Sequence, residues 1–355
     1  MGKQVLSRMG DGERLWLDAE EVRDDIAAGT EDAAERGGVP ALARDEQEQL
    51  LAIMAEPCRA VSVNPGEEVV VTDDGCSMSF YSGEDGGGVG VPLSRLQAVL
   101  TYERACGADT TSLGHSDYSF KPVKPIINFE ANDYYNISQA TTAPFWYGAQ
   151  PNMGLYFQPD GPCTNAAELM PQGKIEEARG TQEEAAEYLA EDLVFVGSRL
   201  AAVGLEGLNF DTCGSAGDAD LLAALKAVEA LKSRIPDLPV LLGGSGEFVI
   251  GMHGEITYKN TRLAGLYPRE QMEIAAGAGA DIFGLAVNTS TTESVAWNLA
   301  RAVTYLKSTT DEASIPVHAN VGMGVCGVPM MAQPPLDAVT RVSKALVEIG
   351  KADGL

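Results

Sequence analysis

The chain has 355 residues and a mass of 37.4 kDa, of which 45% are hydrophobic and 21% charged. That supplies a sizeable core and excludes disorder along the whole length. Twenty-five basic against 51 acidic residues leave a formal charge of −26 and a pI of about 4.4, which argues against a general nucleic-acid or anionic-membrane role.

No apolar run approaches the roughly 18 residues of a membrane span, and the first thirty residues lack the apolar stretch of an export signal. The expectation is a soluble cytoplasmic protein. Residues 1–100 read as a separate α+β extension. Asp18 to Ala27 and Asp45 to Ala55 have the acidic first turns of helices. Val61–Val63 and Val69–Val71 flank the turn signal Asn64-Pro65-Gly66, which predicts a hairpin. Gly83 to Gly90 is a loop by composition.

Residues 101–355 change to alternating helices and short apolar strands. Arg95 to Cys106 reads as a helix leading into this part. Strands are predicted at 108–114, 125–130, 143–149, 207–212, 239–244, 281–287 and 316–321. The stretch 175–203 reads as a helix with Leu189, Leu193, Val196 and Leu200 facing the core. This grammar predicts an α/β fold with parallel strands, and the length of the series favours a (β/α)8 TIM-like barrel over an open sheet.

Gly107-Ala-Asp109, Gly204-Leu-Glu206 and Gly279-Ala-Asp281 each join a helix to a strand, the Gly ending the helix. A looser copy, Lys351-Ala-Asp-Gly-Leu355, is therefore read as the opening of another strand. The expectation from this reading is a barrel cut in its last strand, with an unpaired edge there.

Six cysteines (Cys58, Cys76, Cys106, Cys163, Cys213, Cys326) are scattered without a C-x-x-C pair, so a reduced protein with no metal site is expected. Gly322-Met-Gly-Val-Cys-Gly327 fits a dinucleotide-type G-x-G-x-x-G. Pro329 and Pro334-Pro335 prevent the immediate helix that would meet a pyrophosphate, so a tight loop at a barrel mouth is the better reading.

Several longer blocks are specific. They are Leu113-Gly-His-Ser-Asp-Tyr-Ser-Phe-Lys-Pro-Val-Lys-Pro125, Tyr147-Gly-Ala-Gln-Pro-Asn-Met-Gly-Leu-Tyr156, Asn209-Phe-Asp-Thr212 with Ala216-Gly-Asp218, and Gly251-Met-His-Gly254. Ala296-Trp-Asn-Leu-Ala-Arg-Ala-Val-Thr304 and Pro334-Pro-Leu-Asp-Ala-Val-Thr-Arg341 complete the set. By these blocks the chain resembles the dimethylamine:corrinoid methyltransferases of methylotrophic methanogens, archaea with methylamine metabolism, over nearly all of its length. The resemblance implies methyl transfer from dimethylamine to a Co(I) corrinoid, yielding methylamine. It also implies that the cobalamin-type corrinoid is carried by a cognate corrinoid protein, with no cofactor bound to this chain directly.

In that family an in-frame amber codon is read as pyrrolysine, and the resemblance puts it directly after Leu355. Such a residue supplies the electrophile that ordinary side chains lack, and the 355-residue form without it is expected to be inactive. Two other readings stay open: a truncated, non-catalytic product that only binds the corrinoid protein, and a barrel methyltransferase needing no pyrrolysine.

Supporting groups belong at strand C-termini. Asp211, Glu247 and His318 are the catalytic candidates, a carboxylate being suited to hold dimethylammonium or accept its proton. Thr212, Asn288 and Asn320 are candidate substrate-binding residues from the same strand ends, and helix capping or loop hydrogen bonding is the plain alternative for each. Trp146 and Tyr147, with Phe145 and Tyr156 beside them, are candidates for cation–π contacts with a methylated ammonium ion, against core packing. The other histidines, His115 and His253, are possible acids or bases, with a satisfied structural role as the plainer reading. Partners are expected to be the corrinoid protein, a small cationic amine and further copies of the chain, with no nucleic acid and no membrane. Arg 15 against Lys 10 with excess carboxylates suggests adaptation to salt.

Overall fold

The structure, a computed structural model, describes residues 4–74, 110–117, 145–150, 152–251, 255–331 and 334–355, with 71–74, 110–117 and 145–150 described as backbone. In chain order the elements are β1 (Gln4–Arg8), β2 (Arg14–Asp18), α1 (Ala19–Gly37), α2 (Arg44–Met54), β3 (Val71–Asp74), β4 (Thr110–Asp117) and β5 (Phe145–Gln150). There follow α3 (Ala166–Leu169), α4 (Ile175–Ala202), β6 (Gly207–Cys213), α5 (Asp218–Arg234), β7 (Val240–Gly244), β8 (Thr257–Tyr258) and β9 (Thr261–Arg262). The last are α6 (Pro268–Ala278), β10 (Ile282–Leu285), α7 (Val295–Thr310), β11 (Val317–Ala319) and α8 (Leu336–Glu348). These residues form two compact units, Met1–Ser112 with Leu285–Leu355, and Leu113–Gly284. The predicted helix at 95–106, the strand at 125–130, the Gly83–Gly90 loop and His253 lie outside the described residues.

The second unit carries an α/β core. Strands β5, β6, β7 and β10 pair in parallel, through Trp146↔Gly207, Leu208↔Val240 and Ile282↔Leu241. All five residues of β7 are buried, as expected for a parallel strand covered on both faces. Helix α4 packs on α5, and its buried residues are mostly small: Ala185, Ala186, Ala190 and Gly197 join Leu189, Leu193 and Val194, while Ala178 packs with Ala166 and Leu169 of α3. A Cβ on Gly197 would come within 2.9 Å of Leu208 and 3.0 Å of Leu231, so the close approach requires glycine. The expected stripe holds for Leu189 and Leu193, whereas Val196 and Leu200 are only half-buried because the small-residue face takes the inward position.

In the first unit β1 and β2 form an antiparallel hairpin that leads straight into α1. Asp18 caps that helix, accepting the N–H groups of Glu20 and Glu21, while Glu21 accepts the Asp18 N–H. The hairpin expected at 61–71 is corrected: the turn forms at Pro65-Gly66, where the Glu67 N–H donates to the Asn64 carbonyl, but β3 begins only at Val71 and residues 61–64 carry no strand. Their backbone groups are taken by side chains of α8 instead. The N–H groups of Val61 and Asn64 donate to Thr340 and Glu348, and Lys344 donates to the Ser62 carbonyl.

The predicted join motif is visible in the backbone. Gly204, Gly279 and Lys351 follow α4, α6 and α8 with φ of +95°, +102° and +57°. Two residues after Gly279, the Asp281 N–H donates to the Val240 carbonyl (2.8 Å) and Asp281 Oδ2 accepts the Val240 N–H (2.8 Å). Two residues after Lys351, Asp353 makes the same reciprocal pair with Val317, at 2.9 and 2.8 Å. Gly354 then forms parallel bridges to both His318 and Val70, and the Leu355 N–H donates to the Val70 carbonyl at 3.0 Å. Gly354 is thus bridged on both sides, by β11 and by the residue preceding β3, which corrects the expectation of an unpaired edge at this point.

Candidate active site at the strand ends

The predicted site residues fall on both units. Asp211, Thr212 and Glu247 belong to the second, as do Trp146 and Tyr147 of β5, whose backbones pair with Gly207 and Leu208 of β6. Asn288, His318 and Asn320 belong to the first.

Strand β6 ends in an irregularity. Phe210 pairs with Leu242 and Cys213 with Gly244, so one strand advances three residues where the other advances two. The extra residue lies in the Asp211–Thr212 pair, and Thr212 has φ +52°, a strained value for a β-branched side chain. Such strain persists only where the surroundings impose it, and it gathers at functional sites. The Asp211 carboxylate accepts the Thr212 N–H at 2.8 Å and lies against Gly243, where a Cβ would sit 3.3 Å from it. Both residues are half-buried.

The turn after β6 is held by a residue the sequence did not single out. Asp220, fully buried in the first turn of α5, accepts the N–H groups of Gly214 and Ala216 (2.8 Å for the latter) and the Ser215 hydroxyl. Burial pushes its pKa from 3.8 up to about 7, against the pull of those three donors. The pattern Gly214-Ser-Ala-Gly217 followed by Asp218 and Asp220 was its only trace in the sequence.

Glu247 is half-buried three residues past β7. Its loop is tied down by Gln271, another buried residue missed from sequence, whose amide donates to the carbonyls of Gly246 (3.3 Å) and Leu266 (2.9 Å).

In the first unit the His318 imidazole packs beside Gly354 and hydrogen-bonds the Leu355 backbone. Part of the residue's surface stays open, but desolvation of the ring lowers its pKa to about 4, so it is neutral at physiological pH. Asn320 is half-buried next to Gly322, and its N–H donates to the Leu285 carbonyl at 2.9 Å. Asn288 is exposed and bridges Val325.

The G-x-G-x-x-G segment is that bridge's other half. Cys326 donates its N–H to Val287, Gly324 accepts from Thr289, and Gly327, at φ +88°, lies so close to α7 that a Cβ would meet the Leu299 backbone at 3.0 Å. Its glycines serve loop packing, and the next helix, α8, begins only at Leu336.

Of the aromatic candidates with described side chains, Tyr156 is buried, donates its hydroxyl to Asp192 (2.7 Å) and stacks on Tyr188. That is a packing role. Burial also raises the thiol pKa of Cys213 and Cys163, and the neighbouring Glu56 raises that of Cys58, so none of these three is an activated thiolate.

In the second unit the half-buried carboxylates Asp211 and Glu247 lie at or just past strand ends, the first of them at a strained turn. A sequence model of the family described as Dimethylamine methyltransferase (Dimeth_PyL) matches residues 3–355. The chain belongs to the dimethylamine methyltransferase family. That family's activity is methyl transfer from dimethylamine, a small amine. No solved structure matches the chain. Among the described residues, no helix is long and apolar enough to cross a membrane.

Two of the blocks that carried the resemblance to dimethylamine methyltransferases prove to be structural joints of the first unit. In Ala296–Thr304, Arg301 pairs with Asp32 at 2.7 Å and the Thr304 hydroxyl meets that of Thr30 at 2.8 Å. In Pro334–Arg341, Asp337 pairs with Arg8, and Arg341 donates to the carbonyls of Glu56 and Cys58. The block Asn209–Thr212 with Ala216–Asp218 is instead the strained turn itself.

Proposed function

We propose that this dimethylamine methyltransferase transfers a methyl group from dimethylamine to the Co(I) of a corrinoid held by a cognate partner protein, and that its chain forms a (β/α)8 barrel. The match to the family over residues 3–355 carries the reading. The parallel strands of the second unit support the barrel, as does the entry of Gly354 between His318 and Val70 in the first.

Dimethylamine is protonated at neutral pH, so a site for it must bind a cation, remove a proton and orient the nitrogen. We assign cation binding and proton acceptance to Asp211, held at the β6 bulge, with Glu247 as a second carboxylate. Thr212, Asn288 and Asn320 are assigned to polar contacts with the amine, and Trp146 and Tyr147 to cation–π contacts. His318 is assigned to the amine as a neutral hydrogen-bonding group, because the burial that lowers its pKa also makes it a weaker base than an ordinary histidine.

The amine leaves badly, and an electrophilic pyrrolysine after Leu355, as the resemblance implies, would activate and orient it. The hydrogen bond from His318 to the Leu355 backbone supports placing that residue next to His318.

Mass spectrometry of the protein from its native host, seeking a peptide that spans Leu355, tests the reading first. A spanning peptide with pyrrolysine supports it. A mature chain ending at Leu355 favours the non-catalytic corrinoid-binding product, and activity of the 355-residue form favours a barrel enzyme without pyrrolysine. In an active preparation, Asp211→Asn should lower the rate of corrinoid methylation from dimethylamine by about 10²–10⁴-fold. An unchanged rate removes Asp211 from the chemistry.

A further inference from the structure

Helix α4 turns an unusual face to solvent. Tyr188, Asp192, Phe195, Arg199 and Val203 follow one another at steps of three and four residues, so they form one stripe along the helix and its C-cap. All five are exposed, and the three apolar members keep 40%, 59% and 82% of their surface open. The stripe's side chains are held by contacts: Tyr188 stacks on Tyr156, Tyr156 donates to Asp192, and the Arg199 guanidinium lies over the Phe195 ring, 5.3 Å from its centroid. A preformed run of aromatic and Arg side chains is the composition of an interface centre.

Charge along the helix selects the occupant. The seven carboxylates of α4, from Glu176 to Asp192, all precede residue 193, and Arg199 is the one charged residue after it. A second α4 laid parallel would stack carboxylate on carboxylate. Laid antiparallel about a two-fold axis between residues 195 and 196, it sets Tyr188 against Val203, Asp192 against Arg199, and Phe195 against its own copy near the axis. Every residue of the stripe then meets a partner of matching chemistry, which is the self-complementarity an isologous interface requires. We infer that the outer face of α4 is a dimer interface, formed by antiparallel pairing with the α4 of a second copy of this chain.

Sedimentation velocity of the full chain at micromolar concentration tests this, with Phe195→Glu as the variant. The wild type is expected to be a dimer, and the variant to associate more weakly by about tenfold or more, with an unchanged circular dichroism spectrum. A second measurement depends less on the variant's effect on affinity. Phe195→Cys should form a disulfide-linked dimer under mild oxidation, beyond any formed by the wild type treated alike. Val203→Cys should not, because the two Val203 residues would lie about 22 Å apart along the helices. A wild-type monomer would overturn the inference and leave the stripe to a different protein. So would a dimer indifferent to Phe195→Glu, or cross-linking through Val203→Cys but not Phe195→Cys.

Discussion

Asp220 shows how one buried carboxylate shapes the candidate site without entering it. It closes the turn after β6, so the geometry of Asp211 and Thr212 depends on a group whose pKa in the folded chain is about 7. Its unfolded value is near 3.8, so between these the folded state holds a proton that the unfolded state has released. The raised pKa therefore contributes stability that is fully present below about pH 4 and is lost as the pH climbs through 7. Thermal unfolding of wild type and Asp220→Asn across that window should show the wild type losing stability relative to the variant as pH rises. A difference independent of pH would mean that Asp220 does not titrate there. Beyond the glycine-rich turn before it, little in the sequence separated Asp220 from the many surface acids, because its role exists only once the turn brings three donors round it. Asp211 and Thr212 were legible, since a polar pair ending an apolar strand is a local pattern. The strain at Thr212 was not.

Elements were easier to read than their boundaries or joints. The predicted strands at β5, β6, β7, β10 and β11 were found within one or two residues of their limits, because short apolar runs between helices leave few alternatives. The Val61–Val63 strand failed because its backbone partners are side chains two hundred and more positions away. The inward face of α4 was misread in part because Ala and Gly are almost silent in a hydrophobic pattern. The same silence covers Gly29 on α1, which is buried against α7. An alanine Cβ there would stand 2.2 Å from the Trp297 carbonyl oxygen. Alanine favours a helix by about 1 kcal/mol over glycine, but overpacking costs about 1–3 kcal/mol and a backbone atom cannot step aside. Denaturant unfolding of Gly29→Ala should therefore show net destabilisation. At exposed Gly180 on α4, where a Cβ meets nothing within 4 Å, the same change should stabilise by about 0.5–1 kcal/mol. A common sign at both positions would refute the packing argument.

At the scale of the whole molecule, charge dominates. A net −26 over 355 residues sets like charges near one another across the surface, and many of them are exposed. Salt shortens the reach of that repulsion from about 10 Å at 0.1 M to about 3 Å at 1 M. Folding stability should accordingly rise between low and molar salt, and the α4 dimer should tighten with it, since both compact the same charge. Denaturation midpoints that stay constant across that range would remove self-repulsion, and with it salt adaptation, as the meaning of the composition.

The first unit is made from two separated stretches of chain, Met1–Ser112 and Leu285–Leu355, whereas the second is continuous. On a ribosome the consequence is one of timing. Helix α1 emerges early with Val22, Ile26 and Ala33 on the face it will bury, but α7, which it packs against, begins only at Val295, beyond the whole of the second unit and about 260 residues after the end of α1. At roughly 5–20 residues per second that gap lasts about 13–50 s, long enough for the second unit to fold first. The nascent α1 must spend that interval sheltered by something other than its own partner.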